Sequence, residues 1–207
     1  MNKAGSAGHL TVGHLNGMNL NIPNMLTLAR ILLLPVILAI FYWPSSWARP
    51  LCCAVFLIAA ITDWFDGYLA RKWKIESDFG AFLDPVADKL MVATVLILLV
   101  EDAMAWWLTI PAVVIIGREI TISALREWMA NLGSRAKVAV SYLGKVKTTM
   151  QITALAMLLY KFDLFGLPIY TLGIIALYIA AALTIWSMVD YLMAAFNAHK
   201  EHAGLQP

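Results

Sequence analysis

The sequence predicts an all-α integral membrane protein of six transmembrane helices, on three observations. Hydrophobic residues make up 61% of the 207 residues and charged ones only 14%, about half the charged share of a soluble domain. The apolar residues fall into long runs divided by short polar turns, and at roughly 20 residues per crossing the chain accommodates about six. Lysine and arginine gather on one side of those runs once alternate turns are assigned to opposite faces.

The first 17 residues, MNKAGSAGHLTVGHLNG, are small, polar and glycine-rich, with no apolar stretch of the kind that follows a basic start in a signal peptide. Residues 1–17 are expected to be a disordered leader or an expression-derived tail, with a short juxtamembrane segment after Met18. The first span is read from Ile22 to Trp43, entered through Pro23-Asn24 and interrupted only by Arg30. Trp43-Pro44-Ser45-Ser46 marks a turn. The second span runs from about Trp47 to Tyr68 and ends in Arg71, Lys72 and Lys74. The third covers roughly Phe79 to Val100, followed by an acidic turn at Glu101-Asp102. The fourth begins near Trp106-Trp107 and ends about Met129, with Gly117, Arg118 and Glu119 in its middle. A polar connection from Asn131 to Ser141 leads to the fifth, from about Gly144 to Tyr160. The sixth runs from Ile169 to about Phe196 and carries Asp190. One catalytic domain therefore spans 18–198, and 199–207 is a polar tail.

Arg49 and Lys161 are the clear basic residues on one side, and the remaining 13 of 15 lie on or near the other. The positive-inside rule then places both termini in the cytoplasm. A net charge of +2 gives no electrostatic footprint for nucleic acid. Cys52 and Cys53 are adjacent, point apart on one helix and form no disulfide framework, so they are read as packing residues. Trp43, Trp47, Trp106 and Trp107 fall where an interfacial aromatic belt belongs.

A carboxylate in a bilayer costs at least about 2.5 kcal/mol on insertion scales, yet two successive spans carry four. Asp63 and Asp66 are three apart on the second helix, and Asp84 and Asp88 four apart on the third, so each pair shares a helix face. The short linker makes these helices antiparallel neighbours, with both pairs near the cytoplasmic ends. Facing acidic groups repel unless cations fill the gap, and all-oxygen donors suit Mg²⁺ or Mn²⁺ rather than zinc. His9, His14, His199 and His202 all lie in the tails, which leaves no histidine ligand inside the bundle. Gly67, Ala70 and Gly80 let a ligand approach the backbone, and Arg71 offers a fork-shaped phosphate donor. Together these residues point to a diphosphate substrate. Pairing of the aspartates with nearby bases is the plainer alternative and is set aside, with Arg30 and Arg126 read as snorkelling to the headgroups.

The pattern Asp63-x-x-Asp66-Gly67-x-x-Ala70-Arg71, eight residues, Gly80-x-x-x-Asp84-x-x-x-Asp88 resembles the signature of the CDP-alcohol phosphotransferases, with every defined position matched. The resemblance implies the six-helix CDP-alcohol phosphotransferase fold, usually as a homodimer, in the bacterial cytoplasmic (inner) membrane with the site open to the cytoplasm. It implies that Asp63, Asp66 and Asp84 hold two divalent cations, Mg²⁺ or Mn²⁺. Asp88 becomes the general base and, on one reading, a further metal ligand. Gly67, Ala70, Arg71 and Gly80 would lie at the cytidine and diphosphate, with Asn24 and Thr27 over the nucleotide; capping of the first helix is the alternative for those two. The implied reaction moves the phosphatidyl group of CDP-diacylglycerol to an alcohol, by direct attack of a hydroxyl or through a covalent aspartyl-phosphate.

Arg118 in mid-span, with Lys145 and Lys147 at the cytoplasmic end of the next helix, forms a candidate acceptor phosphate site. Glycerol 3-phosphate carries such an anion; glycerol, choline, ethanolamine and inositol do not. The segments Gly117-Arg118-Glu119, Gly144-Lys145-x-Lys147-Thr148 and Ile22-Pro23-Asn24-x-x-Thr27-x-x-Arg30 are similar to the branch of the family that uses this acceptor. Against this, the neighbours Arg118 and Glu119 could each pair with another helix, and Lys145 and Lys147 could be positive-inside anchors. The competing functions are a family member that makes cardiolipin, phosphatidylserine or an inositol lipid, an aspartate-rich membrane prenyltransferase, and a divalent-cation transporter. A transporter would place its carboxylates near the midplane on broken helices.

Overall fold

A computed structural model describes residues 22–73, 78–131 and 142–202, and the expected leader 1–17 and the polar connection after α4 lie outside them. The described chain is six helices: α1 (Ile22–Phe41), α2 (Ala48–Trp73), α3 (Asp78–Ala103), α4 (Trp106–Asn131), α5 (Tyr142–Tyr160) and α6 (Ile169–His202). They begin within a residue or two of the expected spans. Two ends differ. α3 continues through Glu101 and Asp102, because Tyr42 bonds the first and Arg49 and Lys161 hold the second, and the chain turns at Met104 with φ 45°. α6 runs on through His202, into the segment read as a tail.

Side-chain contacts fix the helix directions. The end of α1 meets the start of α2, where the Arg49 guanidinium lies 3.8 Å over the Phe41 ring. The ends of α1 and α3 meet where Tyr42 donates to Glu101, and Lys161, just past α5, pairs with Asp102 at 2.8 Å. Tyr178 of α6 donates to the Trp107 carbonyl at 2.8 Å, near the start of α4. Odd-numbered helices thus run one way and even-numbered ones the other. Trp43, Trp47, Trp106 and Trp107, all exposed, collect at one end, as an interfacial belt requires.

One expectation fails. α2 and α3 are not packed neighbours among the described residues; α1 lies against both. A short connection brings two helix ends together but leaves room for a third helix between their bodies.

The core centres on Val95, Leu96, Leu98 and Leu99 of α3 and on Leu155, Leu158 and Leu159 of α5. α5 packs on α2, α3 and α6 and, among the described residues, presents no large exposed apolar side chain. α6 seats closely on it at Gly173, where a Cβ would come within 3.0 Å of Met157 and Leu158. Cys52 and Cys53 are free and buried, and their thiols donate to the Ile37 and Ala156 carbonyls on different helices, as adjacent helical positions must. α4 and α6 contain stretches long and apolar enough to cross a membrane, Trp106–Met129 and Ile169–Met193, and α1 a shorter one, Met25–Phe41. The other helices carry the charged groups of the site within their apolar runs, which shortens those runs.

Candidate functional site

Two polar clusters are set into the half of the bundle opposite the tryptophan belt. The first is built on α1, where Thr27 and Arg30 are three apart and so share a face. The Thr27 hydroxyl donates to the Asp84 carboxylate. Arg30 Nη1 lies 2.5 Å from Asp63 Oδ1 and 3.0 Å from Asp88 Oδ1. Thr27 and Arg30 are fully buried, whereas Asp63 is 37% and Asp88 51% exposed. The guanidinium is the floor of the cluster and the carboxylates open outward from it.

This arrangement corrects two sequence expectations. Arg30 does not snorkel to the headgroups but is buried, because it stands in the middle of its helix facing three carboxylates rather than at an end facing lipid phosphates. Pairing with a base, set aside above, is present for Asp63 and Asp88. Thr27 lies well inside α1 and spends its hydroxyl on α3, not on a helix cap.

The donor set suits hard cations. Each contact engages one oxygen of its carboxylate, and an ionised carboxylate has a second to offer. Among the described residues three carboxylates gather about one guanidinium, and all-oxygen donors of this kind bind Mg²⁺-like ions. Among the described residues, no group of three such side chains is by itself close enough to hold an ion. Asp66 falls outside the residues whose surroundings are described, as do Asn24, Gly67, Ala70, Arg71 and Lys145. Gly80 is buried near the start of α3.

The second cluster joins α4, α5 and α6. Lys147 Nζ and Arg118 Nη1 both reach Glu119 Oε1, at 2.7 and 2.9 Å, and Arg118 Nη2 lies 3.3 Å from Ser187 Oγ. Arg118 and Lys147, expected together as an anion site, are brought together here around one carboxylate. Lys147 is buried, so it is not a surface anchor. Arg118 and Glu119 do meet despite being neighbours, since long side chains can bend toward a shared third group. The cluster extends inward: Gln151, one turn on from Lys147, and Thr184 of α6 are buried, and Gln151 Oε1, Thr184 Oγ1 and Arg118 Nε have no hydrogen-bond partner among the described residues.

Sequence reasoning missed the role of Arg30 in one cluster and Thr184 and Ser187 in the other, whereas the cross-helix pairing left open for Arg118 and Glu119 is present. The signals were present. Arg30 repeats the spacing of Thr27 by one turn, and Thr184 and Ser187 are polar residues one turn apart in an apolar run. Asp190 is exposed, with no partner among the described residues; beside it the Arg126 guanidinium lies 5.9 Å from the Tyr191 ring.

The family profile described as CDP-alcohol phosphatidyltransferase matches residues 20–186. Three bacterial relatives carry the name CDP-diacylglycerol–glycerol-3-phosphate 3-phosphatidyltransferase. The protein of Sodalis glossinidius is 56% identical over 186 residues, 89% of this chain and 100% of its own length. That of Pectobacterium atrosepticum is 56% identical over 178 residues, 86% of this chain and 96% of its own. That of Salmonella choleraesuis is 53% identical over the same shares.

Proposed function

The chain belongs to the CDP-alcohol phosphatidyltransferase family, and on that premise we propose that it transfers the phosphatidyl group of CDP-diacylglycerol to glycerol 3-phosphate, giving phosphatidylglycerophosphate and CMP. The observation that carries the acceptor is the whole-length likeness to relatives whose name specifies it. The positive surplus at Arg118 and Lys147 supports the same choice, because the acceptor brings a phosphate.

Asp63, Asp66, Asp84 and Asp88 hold two divalent cations, which when bound neutralise the diphosphate and the charge that builds as CMP leaves. The chain's own residues do the rest. Arg71, Gly67, Ala70 and Gly80, with Asn24 and Thr27, seat the cytidine and diphosphate. Arg118, Lys145 and Lys147 bind the acceptor phosphate and orient its free hydroxyl. Asp88 takes the proton of that hydroxyl as its oxygen attacks the phosphorus bearing diacylglycerol. The bond from that phosphorus to the bridging oxygen breaks, its electron pair stays on CMP, and no covalent enzyme intermediate forms.

All six helices cross the bacterial cytoplasmic membrane, both termini and the site facing the cytoplasm, and the enzyme is a homodimer. The shortest helix, α5, has 19 residues, about 28 Å at 1.5 Å per residue, close to the hydrocarbon thickness. Large apolar side chains stand exposed on the other five, among them Leu32, Ile58, Ile97, Val113 and Ile175, as lipid contact requires. Residues 18–198 form the catalytic domain.

CMP release by purified protein with CDP-diacylglycerol and Mg²⁺ tests this reading. Release should depend on glycerol 3-phosphate and stop with EDTA. Release only with serine, inositol, inositol phosphate or phosphatidylglycerol would overturn the acceptor, and no release with any of them would favour the cation transporter.

A further inference from the structure

α1 carries its polar stripe, Thr27 and Arg30, into the interval between α2 and α3, which do not pack on each other among the described residues. The three described aspartates meet at that stripe, Asp84 at Thr27 and Asp63 and Asp88 at one Arg30 nitrogen. A single guanidinium nitrogen shared by carboxylates from two helices, with its side chain 2% exposed, is a cation in the role of a bridge. Like charges gathered so closely repel without a counter-charge. A buried guanidinium without its carboxylates would in turn be strongly unfavourable.

We infer that Arg30 is the resident counter-cation of the aspartate cluster, gathering Asp63 and Asp88 around α1 before divalent ions bind and sharing those carboxylates with the ions afterwards. Arg30 is thus a positioning residue. It acts on the reaction through the aspartates, and the carboxylate oxygens its contacts leave uncommitted are what call in the ions. The inference rests on the proposed binding of divalent cations at these aspartates. It makes the site preformed but electrostatically incomplete, so that ion and guanidinium compete for part of the same negative charge. A guanidinium suits the task because it is always charged and weakly hydrated, so it tolerates burial; a lysine is a strongly hydrated point charge that loses its proton readily when buried.

The test is thermal unfolding of full-length protein in detergent, first in EDTA and then with saturating Mn²⁺, for wild type, Arg30→Gln and Arg30→Lys. In EDTA, Arg30→Gln should lower the Tm by about 10 °C, with Arg30→Lys between it and wild type. Mn²⁺ should raise the Tm of Arg30→Gln more than that of wild type, by on the order of 5 °C, because the ions replace the missing charge. A residue that only packs the core would shift both conditions equally. If Arg30→Gln cannot be purified in EDTA, Arg30→Met purified in Mn²⁺ and then stripped with EDTA carries the same comparison. Equal Mn²⁺-induced rises in wild type and variant would overturn the role of Arg30 and leave the ion site standing. No rise in wild type would overturn the ion site and this inference with it.

Discussion

The two clusters at the working end of the bundle use the same chemistry with opposite balance. Around α1, three carboxylates surround one buried guanidinium; around Glu119, two cations surround one carboxylate. Each is neutralised only in part, so each is left with a charge to satisfy. The first is suited to cations and through them to a diphosphate, the second to a phosphate monoester. A partly neutralised cluster within a bundle is costly, and on the proposed reading two of opposite sign fit an enzyme that brings two anionic substrates together. On the proposed reading the donor would come in on metal ions and the acceptor on side chains, so the two phosphates would not compete for one set of contacts.

The largest effect should follow from changing the negative cluster. Asp88→Asn keeps the side chain's shape but removes the base. It should lower kcat by about 10²- to 10⁴-fold, while the KM for glycerol 3-phosphate and binding of CDP-diacylglycerol stay near wild type. Steady-state CMP release with varied acceptor measures both constants. A kcat close to wild type would remove Asp88 as the base and break the division of labour between the clusters.

A smaller effect of another kind should come from the positive cluster. Arg118→Ala removes a charged donor and should raise the KM for glycerol 3-phosphate about 10- to 100-fold, the equivalent of one charge-assisted hydrogen bond. Its kcat at saturating acceptor should fall much less. An unchanged KM with a reduced kcat would mean that Arg118 only holds Glu119 and Ser187 in place, and the acceptor site would have to be sought elsewhere.

Much of this was legible in the sequence, for identifiable reasons. Helix positions followed from runs of apolar residues whose ends are set by polar and aromatic residues, and these signals are local. The aspartates stood out because a carboxylate in an apolar run demands a cause. How the pieces assemble was not local. The short linker after α2 suggested that the second and third helices pack together, and nothing in the order of residues says that α1 stands between them. Arg30 was misjudged for the same reason. An arginine within an apolar run is the same in sequence whether it reaches a lipid phosphate or a carboxylate brought in from 58 residues along the chain. For Glu119 a pairing with another helix was open, but which partner it takes depends on Lys147 arriving from the next helix.

The far end of the bundle supplies the control for the comparison. There Asp102 binds both Arg49 and Lys161, again one carboxylate between two cations, the same count as at Glu119. The difference is solvent. Lys161 is 44% exposed, whereas the Lys147 side chain is 6% exposed, so water and salt can replace whatever Lys161 contributes. Its pairing with Asp102 should therefore be worth no more than about 1 kcal/mol. Lys161→Met should lower the Tm by less than about 4 °C and leave kcat and both KM values unchanged. The measurement is thermal unfolding together with CMP release on the same preparation. A loss of turnover in this variant would mean that the outer latch sets the position of α3, and through it of Asp84 and Asp88. The two ends of the bundle would then be mechanically coupled, and solvent exposure alone would no longer explain what separates a working cluster from a structural one.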